Sequence, residues 1–454
     1  MTDASAHTDF DLIVIGGGSG GLAGAFRAAG HGARVALLEP GALGGTCVNV
    51  GCVPKKAMWL AAEVAGKLRQ AAVLGFEASP ATLDWTTFVA HRERYIEGIH
   101  AGYRRRLEAA GIALMPTRGR LLDAHRVRTD DGLVLSASHV LIATGGHAVR
   151  PDLAGAELAG LSDDFFAWRA APERVAIVGA GYVAVELAGV LQALGSHVSL
   201  RVRGRRLLES FDAEISDQLA EDYRQSGIDC RFATATTAIE RVDDGLRLRD
   251  GNGEWSEPVD AVLLATGRRP NVQGLGLEAA GIALDADGFI PVDAFNGTAV
   301  EGVYAVGDVT PSPALTPVAI AAARRLMDRL FGGGPRKALV LDDVPTVVFS
   351  HPPIGRIGLT EAQAREAFGD DVHVLRAGFR PMLHALAASP QRSLFKIVCT
   401  GADRRVVGLH LLGDAADEML QGFAVAMRRG ITLDDLHDTI AIHPTSAEEV
   451  VLMR

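Results

Sequence analysis

The residues most able to do chemistry in this chain are two cysteines that lie close together. Cys47 and Cys52 occupy the stretch GGTCVNVGCVPKK (44–56) and are two of only four cysteines in 454 residues. Such a pair could be a redox disulfide, half of a metal site or two inert thiols. Residues five apart in a regular helix are rotated by about 140° and are hard to bridge. Gly51 and Pro54 predict that the chain enters a helix through a loop here, so that Cys47 can fold back toward Cys52 near the helix N-terminus.

The surroundings of the pair favour redox chemistry. A helix N-terminus and the positive charge of Lys55 both lower a thiol pKa and favour the thiolate. A metal site would need further ligands, whereas Cys230 and Cys399 stand alone in strand-like stretches. Inert buried thiols are the common outcome for a chance pair, but this pair directly follows a glycine-rich nucleotide-binding pattern. We therefore predict a redox disulfide and no metal ligands.

An acid–base group is available in the C-terminal stretch AIHPTSAEEVVLMR (441–454), where His443 is followed by Glu448 and Glu449. An imidazole titrates near neutral pH, and a carboxylate can orient it and hold its proton. The Thr-Ser run and the two glutamates also match a helix capping box. Both interpretations can hold, because a helix start would fix Glu448 within reach of His443.

These side chains need elements that position them, and residues 10–40 predict the first such element: a strand, a glycine turn, a helix and a second strand. Gly16, Gly18 and Gly21 fill the G-x-G-x-x-G pattern, which allows a tight turn, close approach of a pyrophosphate and close helix–strand packing. Glu39 ends the second strand, where an acid can accept hydrogen bonds from a ribose. The combination favours a dinucleotide site over an ordinary glycine-rich turn.

The same arrangement recurs in residues 173–212, with Gly179 and Gly181 in the turn. Arginines suit a 2′-phosphate where an acid suits an unmodified ribose. Three arginines stand here in place of the acid: Arg203, Arg205 and Arg206. This second site is therefore predicted to bind NADPH, the alternative being a solvated arginine-rich turn.

The remaining landmarks predict further strands and a change of domain. Apolar strands run into Ala-Thr-Gly turns at 140–146 and 262–271, and another ends at Asp308, where a carboxylate would meet a ribityl chain or flavin edge. A Gly/Pro-rich linker at 331–345 is followed by about 110 residues that alternate between strands and helices, which predicts an α+β domain.

Composition narrows the class of protein. Hydrophobic residues make up 48% of the chain and the net charge is −10, which is typical of a globular protein of several domains and gives no nucleic-acid footprint. The first residues contain no positive region and no apolar run, so no signal peptide is expected. The most apolar stretch, 175–195, carries Glu186 and glycines and is too interrupted to span a bilayer. We expect a soluble, cytoplasmic protein.

The order of motifs resembles the flavoprotein disulfide reductase family, the class I pyridine nucleotide-disulfide oxidoreductases, and within it the glutathione reductases of bacterial type. The resemblance covers essentially the whole chain. It rests on GGTCVNVGCVPKK, GAGYVAVELAG, LTPVAIAA, PTVVFSHPPIG, DEMLQGFAVA and AIHPTSAEE.

The resemblance implies an activity and a fold. FAD and NADPH would be the cofactors, and electrons would pass from NADPH through the flavin to a Cys47–Cys52 disulfide and on to glutathione disulfide. The fold would be α/β, with two Rossmann-like dinucleotide-binding domains and a C-terminal α+β dimerisation domain. The implied boundaries are 1–147 for the FAD domain, 148–270 for the NADPH domain, 271–337 for a central segment contacting FAD and 338–454 for dimerisation.

The resemblance also implies roles. Cys52 would lie next to the flavin, and Cys47 would attack the substrate disulfide. His443 from the partner subunit of a homodimer, oriented by Glu448, would protonate the leaving thiolate. Lys55 and Glu186 would pair beside the flavin, and Tyr182 would cover the nicotinamide pocket.

The implied cofactor-binding residues are Gly16, Gly18, Ser19, Gly20, Gly21, Glu39, Thr46, Lys55, Thr144, Gly145, Gly179, Gly181, Tyr182, Glu186, Arg203, Arg205, Arg206, Gly267, Arg268, Asp308 and Thr316. The implied substrate contacts are Ser19, Tyr95, Tyr103, Thr316, Arg324 and Glu449.

Some positions depart from the family pattern. Phe26 stands where some members have an arginine that meets a glycine carboxylate of the substrate, with Arg27 adjacent, and Glu209 stands where a phosphate-binding arginine is usual. Residues 381–395 are also more apolar than usual.

Alternative functions therefore stay open. One is reduction of a related low-molecular-weight disulfide, and another is an NAD-linked dihydrolipoamide dehydrogenase, against which the three arginines argue. A flavin-binding regulatory protein would need neither the thiols nor the His–Glu pair, and a metal-responsive protein would use the two cysteines as ligands. The apolar stripe of 417–430 predicts either a dimer-interface helix or an ordinary core helix.

Overall fold

The structure is a computed structural model that describes residues 9–77 and 82–454. Residues 1–8, part of the stretch that argues against a signal peptide, lie outside the described residues. The chain forms two compact units. Unit one comprises Met1–Lys55, Thr87–Ala148 and Arg268–Leu341, and unit two comprises Lys56–Thr86, Val149–Gly267 and Asp342–Arg454.

Up to residue 148 the elements alternate between strands and helices and then become a run of strands. They are β1 (Phe10–Ile15), α1 (Ser19–Gly30), β2 (Val35–Leu38), α2 (Gly45–Asn49), α3 (Cys52–Ala71), α4 (Trp85–Ala109), β3 (Ala113–Met115), β4 (Gly119–Leu121), β5 (Arg126–Thr129), β6 (Val134–Ile142) and β7 (Gly146–Ala148).

The middle of the chain repeats the strand–helix–strand order. Its elements are β8 (Gly160–Leu161), β9 (Arg174–Val178), α5 (Tyr182–Ala193), β10 (His197–Arg201), α6 (Ala213–Gln225), β11 (Asp229–Arg231), β12 (Thr236–Val242), β13 (Gly245–Asp250), β14 (Ala261–Leu264), β15 (Arg268–Pro270), β16 (Val303–Ala305) and α7 (Thr316–Phe331).

The last part of the chain follows a segment, 332–345, without helix or strand, as the Gly/Pro-rich linker predicts. Its elements are β17 (Thr346–Val348), β18 (Ile354–Gly358), α8 (Glu361–Phe368), β19 (Val372–Phe379), α9 (Met382–Leu386), β20 (Ser393–Thr400), β21 (Arg405–Leu412), α10 (Ala416–Met427), α11 (Leu433–His437) and α12 (Glu448–Val451). Short 3₁₀ helices cover Ala72–Leu74, Ala156–Leu158 and Asp164–Ala167.

Unit one is built on a sheet of order β3-β2-β1-β6-β5-β4, with β16 paired to β6. The central strand β1 is parallel to both neighbours, and Ile13 is in register with Ala36 on one side and Val140 on the other. Strands buried on both faces are expected to be continuously apolar, as LIVI of β1 is. The carboxyl ends of β1, β2, β6 and β16 therefore share one edge of the sheet.

Unit two contains two five-stranded sheets. The order β11-β10-β9-β14-β8 is parallel and matches the second glycine motif, and the order β17-β18-β21-β20-β19 is antiparallel. The predicted fold class is confirmed: two Rossmann-like domains and a C-terminal α+β domain.

A buried lysine links elements of unit two. Lys396 on β20 lies 2.9 Å from the carboxylate of Asp212 and 2.7 Å from that of Glu361, and only 2% of its side chain is exposed. Glu214 adds a third carboxylate at 3.2 Å. A buried ammonium is tolerated only when it is paired in this way.

The apolar stripe on α10 packs in the core of its own domain. Leu420, Ala424 and Met427 are buried in a cluster against which Met419 and Phe423 also pack. The core-helix interpretation is therefore confirmed for Leu420, Ala424 and Met427. The suggestion that the stripe also contributes to a dimer interface stays a prediction.

Candidate active site

The turn between β1 and α1 forms a cradle that only glycine allows. Gly16 has φ +108°, and a Cβ there would lie 2.4 Å from the carbonyl oxygen of Ala143. A Cβ on Gly21 would lie 1.9 Å from the carbonyl oxygen of Gly16. Gly18, by contrast, is not crowded, since the atom nearest to a hypothetical Cβ, the Cα of Gly45, would be in ordinary contact at 3.8 Å. The start of α1 thus leaves room for a pyrophosphate at its unpaired N–H groups.

Two carboxylates flank this cradle. Glu39 follows β2 and accepts hydrogen bonds from the backbone N–H groups of Gly17 (2.7 Å) and Gly41 (2.8 Å). Asp308 follows β16, where burial raises its pKa and the charge of Arg268 acts in the opposite direction. A desolvated acid is a ready acceptor for a hydroxyl. The cradle and the two acids fit FAD: Glu39 could accept hydrogen bonds from a ribose, Gly18 could approach the pyrophosphate and Asp308 could meet the ribityl chain.

Loops from separate parts of unit one meet beside Asp308. Arg268 donates hydrogen bonds to the carbonyl of Gly146 (2.6 Å) and the hydroxyl of Thr46 (3.4 Å). The Thr144 hydroxyl donates to the carbonyl of Asn271 at 2.7 Å. The structure thus brings together Thr46, Thr144, Arg268 and Asp308, which the sequence predicts as cofactor-binding residues.

The thiols of Cys47 and Cys52 lie within hydrogen-bonding reach of each other. Both are free thiols, and Cys52 is the first residue of α3, as predicted. Cys47 lies not in a loop but in the short helix α2. The return of the chain occurs at Val50 and Gly51, where a Cβ on Gly51 would lie 2.7 Å from the carbonyl of Thr46.

The thiols of this pair have opposite acidities. A hydrogen bond from Cys47 lowers the pKa of Cys52 to about 6, and the hydroxyl of Thr316 and the charge of Lys55 add to this effect. Partial burial of the sulfur raises the Cys52 pKa in turn, although the residue is exposed. The pKa of Cys47 is raised, first because its proton is held by Cys52 and then by burial. Cys52 is therefore the resting thiolate, and Cys47 carries the proton.

Two hydroxyls at helix starts stabilise the pair. Thr316 is the first residue of α7, and its oxygen lies 3.7 Å from the sulfur of Cys52. Ser19 is the first residue of α1, and its hydroxyl lowers the pKa of Cys47 against the larger opposing effects. Helix N-termini carry partial positive charge, which favours a thiolate. The motif resemblance placed both residues among cofactor and substrate contacts but did not point to the thiols.

The second glycine motif repeats the cradle in unit two. Gly179 has φ +148°, and a Cβ there would lie 2.3 Å from the carbonyl oxygen of Ala265, whereas Gly181 faces open space. Tyr182 begins α5 and is 46% exposed. The buried carboxylate of Glu186 accepts a hydrogen bond from the backbone N–H of Phe349 at 2.8 Å. Its predicted pairing with Lys55 stays a prediction.

The three arginines after β10 differ in whether they form an ion pair. Arg203 and Arg205 are exposed, whereas Arg206 forms an ion pair with Asp217 at 2.7 Å. The carboxylate of Glu209 lies against Gly204, since one of its oxygens would be 2.1 Å from a Cβ on that glycine. Gly204 stands between Arg203 and Arg205 in the sequence. The cations available for a 2′-phosphate are therefore Arg203 and Arg205.

The C-terminal tail positions an imidazole on the surface of unit two. His443 Nδ1 lies 2.9 Å from a carboxylate oxygen of Glu448, and 79% of the His443 side chain is exposed. The backbone N–H of Thr445 also donates to Glu448 at 3.3 Å. The Thr445 hydroxyl donates to the carbonyl of Ile442 instead of capping α12, so the predicted capping box is not formed.

The predicted substrate contacts occupy several helices. In unit one, Tyr95 on α4 is 64% exposed, Tyr103 on α4 packs against the core, and Arg324 is exposed on α7. Glu449 lies on α12 in unit two. Their roles stay predictions.

One contact near them was not predicted from the sequence: the guanidinium of Arg106 lies 4.4 Å from the ring centre of Phe26. The departure from the family pattern at Phe26 was the available signal.

The described residues offer neither a metal site nor a membrane-spanning helix. No group of three or more His, Cys, Asp or Glu side chains there could hold a metal ion. Within residues 9–77 and 82–454, no helix is long and apolar enough to cross a membrane.

Comparison with known proteins gives two family matches and several full-length relatives. Residues 10–323 match the pyridine nucleotide-disulphide oxidoreductase family, and residues 344–454 match the dimerisation domain of the same family. The chain is 43% identical to a glutathione reductase of Yarrowia lipolytica, over 98% of this chain and 99% of the relative. It is 42% identical to one of Burkholderia cepacia and 43% identical to one of Schizosaccharomyces pombe, each over 98% of both chains.

Proposed function

Because the chain belongs to the pyridine nucleotide-disulphide oxidoreductases, we propose that it is an FAD-dependent enzyme that uses NADPH to reduce glutathione disulfide to two molecules of glutathione. The observation that carries the proposal is the hydrogen-bonded pair of Cys47 and Cys52, in which the pKa of Cys47 is raised and that of Cys52 is lowered. The pair lies beside Ser19, at the edge of the first dinucleotide cradle. Three full-length relatives named glutathione reductase support the substrate.

The thiols divide the exchange between them. FAD, when bound, would accept a hydride from NADPH and deliver two electrons to the Cys47–Cys52 disulfide. Cys47, once deprotonated, attacks one sulfur of glutathione disulfide, so that a Cys47–glutathione disulfide forms and one glutathione thiolate leaves. The Cys52 thiolate then attacks the Cys47 sulfur, which releases the second glutathione and restores the Cys47–Cys52 disulfide.

The raised pKa of Cys47 explains why a base is needed. A thiol attacks only as thiolate, and Cys47 holds its proton toward Cys52. We assign the base to His443 of a second subunit, with Glu448 orienting the ring. The imidazolium then gives its proton to the leaving glutathione thiolate. The match of residues 344–454 to a dimerisation domain supports the homodimer that this assignment requires.

The remaining assignments follow the two cradles. The predicted domains 1–147, 148–270, 271–337 and 338–454 would bind FAD, bind NADPH, contact FAD and form the dimer. Arg203 and Arg205 would bind the 2′-phosphate, and Tyr182 would cover the nicotinamide pocket. We propose a cytoplasmic location, since the chain has only four cysteines in 454 residues and a close cysteine pair in a reducing compartment is catalytic more often than structural.

The experiment that tests the function is a steady-state assay of NADPH oxidation by the purified FAD-bound protein, with glutathione disulfide and with lipoamide as alternative substrates. NADPH oxidation that depends on glutathione disulfide and is lost in Cys47→Ser supports the proposal. Turnover with NAD and dihydrolipoamide but not with glutathione disulfide would favour the dihydrolipoamide dehydrogenase alternative.

A further inference from the structure

An exposed guanidinium is held over an aromatic ring in unit one. Arg106 on α4 lies 4.4 Å from the ring centre of Phe26 on α1, a typical cation–π distance. In the described part of the chain Arg106 has no hydrogen bond or ion pair. The ring fixes one face of the planar guanidinium and leaves its N–H edge free to bind an anion.

The position of this guanidinium relative to the thiols follows from α1. Ser19 begins α1 and contacts Cys47, and Phe26 lies seven residues further along. Seven residues complete nearly two helical turns, so Ser19 and Phe26 share a face of α1, with a rise of about 10 Å between them. The sulfur of glutathione is on its middle residue, so the γ-glutamyl arm between that sulfur and its α-carboxylate spans up to about 10 Å when extended, and the glycine arm spans about 7 Å. A glutathione arm whose sulfur is at Cys47 can therefore bring a carboxylate to Arg106.

The neighbouring cation is already engaged. Arg27 forms an ion pair with Asp328 on α7, and His31 contacts the same carboxylate at 2.8 Å. Arg27 is thus turned onto α7 and is not available in place of the arginine that Phe26 replaces. Tyr103, one helical turn before Arg106, packs with Phe26 against the same core.

We propose that Arg106 binds a carboxylate of the substrate disulfide, with Phe26 as the platform that positions its guanidinium. This inference rests on the proposed function, because it takes glutathione disulfide as the substrate. The absence of an arginine at position 26 then does not indicate a preference for an uncharged disulfide. Arg106 on α4 supplies the positive charge that Phe26 on α1 does not.

The test compares Arg106→Met with Arg105→Met, a matched loss of charge at the adjacent exposed position. A charge-assisted hydrogen bond corresponds to a change on the order of 10- to 100-fold in affinity. We expect Arg106→Met to raise the KM for glutathione disulfide by that order with kcat changed less than about threefold, and Arg106→Lys to recover part of the loss, since it keeps the charge without the planar fork. Arg105→Met should resemble the unchanged protein, and reduction by NADPH in a single half-reaction should be unaffected in all three.

Substrate analogues identify the contact. Two disulfides are used, one with its glycine carboxylates converted to amides and one with its glutamyl α-carboxylates converted to amides. If Arg106 binds a carboxylate, one analogue loses affinity with the unchanged protein and loses little more with Arg106→Met, so the two losses are not additive. Additive losses with both analogues, or an Arg106→Met variant that behaves like Arg105→Met while glutathione disulfide is reduced, would overturn the inference and leave the proposed function standing. Absence of glutathione disulfide reduction by the unchanged protein would overturn the proposed function itself.

Discussion

The Nδ1 atom of His443 lies 2.9 Å from the carboxylate of Glu448, while 79% of the His443 side chain faces solvent. Such a contact orients the ring and leaves Nε2 free to exchange a proton with a second molecule. The Glu448 side chain is only 14% exposed and also accepts the N–H of Thr445, so the carboxylate is fixed before the imidazole is used.

Replacing His443 with Gln should abolish most turnover and spare reduction of the enzyme by NADPH. General acid–base catalysis contributes about 10²- to 10⁴-fold, so we expect a loss of that order in kcat with glutathione disulfide. Glu448→Gln should cost less, because the imidazole stays in place. Stopped-flow absorbance of the NADPH half-reaction separates the two steps, and a slowed half-reaction in His443→Gln would show that the assignment is wrong.

Mixed dimers test whether His443 acts across subunits. Dimers carrying only His443→Gln or only Cys47→Ser should each have little or no activity, but one of the two sites in a mixed dimer would be intact. Activity should therefore return when the two are co-expressed and purified with different tags. Inactive mixed dimers would place His443 and Cys47 of one chain in one site.

The thiol acidities predict a pH dependence of alkylation. In the reduced protein, modification of Cys52 by iodoacetamide should have a midpoint near pH 6, the value to which its pKa is lowered, and should fall as the pH drops below it because the thiolate is protonated. Cys47→Ala removes the largest cause of the lowered pKa, so the midpoint should rise. Peptide mapping identifies the modified residue, and a midpoint unchanged in Cys47→Ala would contradict the thiol–thiol hydrogen bond.

Cofactor choice should depend on Arg203 and Arg205. Each charge-assisted contact is worth about 1.5–3 kcal/mol, so Arg203→Met should raise the NADPH KM at least about 10-fold and leave the NADH KM nearly unchanged. Arg206→Met should matter less, because Asp217 already engages that side chain. Equal use of NADPH and NADH by the unchanged protein would defeat this prediction.

Lys396→Met should destabilise unit two strongly. Removing the lysine leaves Asp212, 2% exposed, without its ammonium partner, and breaking a buried pair typically costs about 3–5 kcal/mol. Arg231→Met breaks an exposed pair with Asp229 at 2.7 Å and should cost less than about 1 kcal/mol. Thermal unfolding followed by circular dichroism should show a lower midpoint for Lys396→Met than for Arg231→Met, and equal midpoints would count against the buried network.

The sequence predicts what local geometry dictates. Gly16 and Gly179 could be predicted because a side chain at either position would collide with the backbone that follows a neighbouring strand. Only glycine fits there, so each turn shows glycines at a fixed spacing in the sequence. The start of α3 at Cys52 and the contact between His443 and Glu448 depend on neighbours within a few residues and were likewise predictable.

Contacts distant in sequence were not predictable. Thr316 meets Cys52 only because α7 starts at the same edge of the unit-one sheet, and Lys396 meets Asp212 from 184 residues away. The stripe on α10 shows the related difficulty, since an apolar helix face looks the same whether its own domain or a second subunit covers it. The ion pair between Arg27 and Asp328 and the position of Arg106 over the Phe26 ring are likewise visible only in the structure.

The most direct test of the account is an anaerobic titration of the FAD-bound protein with NADPH and then with glutathione disulfide, combined with thiol alkylation. One equivalent of NADPH carries two electrons, so it should convert the Cys47–Cys52 disulfide into two alkylatable thiols, with Cys230 and Cys399 unchanged. Glutathione disulfide should then protect both thiols from alkylation and release two glutathione molecules per NADPH consumed. Alkylation of neither Cys47 nor Cys52 after NADPH, or glutathione release by a Cys47→Ser/Cys52→Ser double variant, would contradict the account.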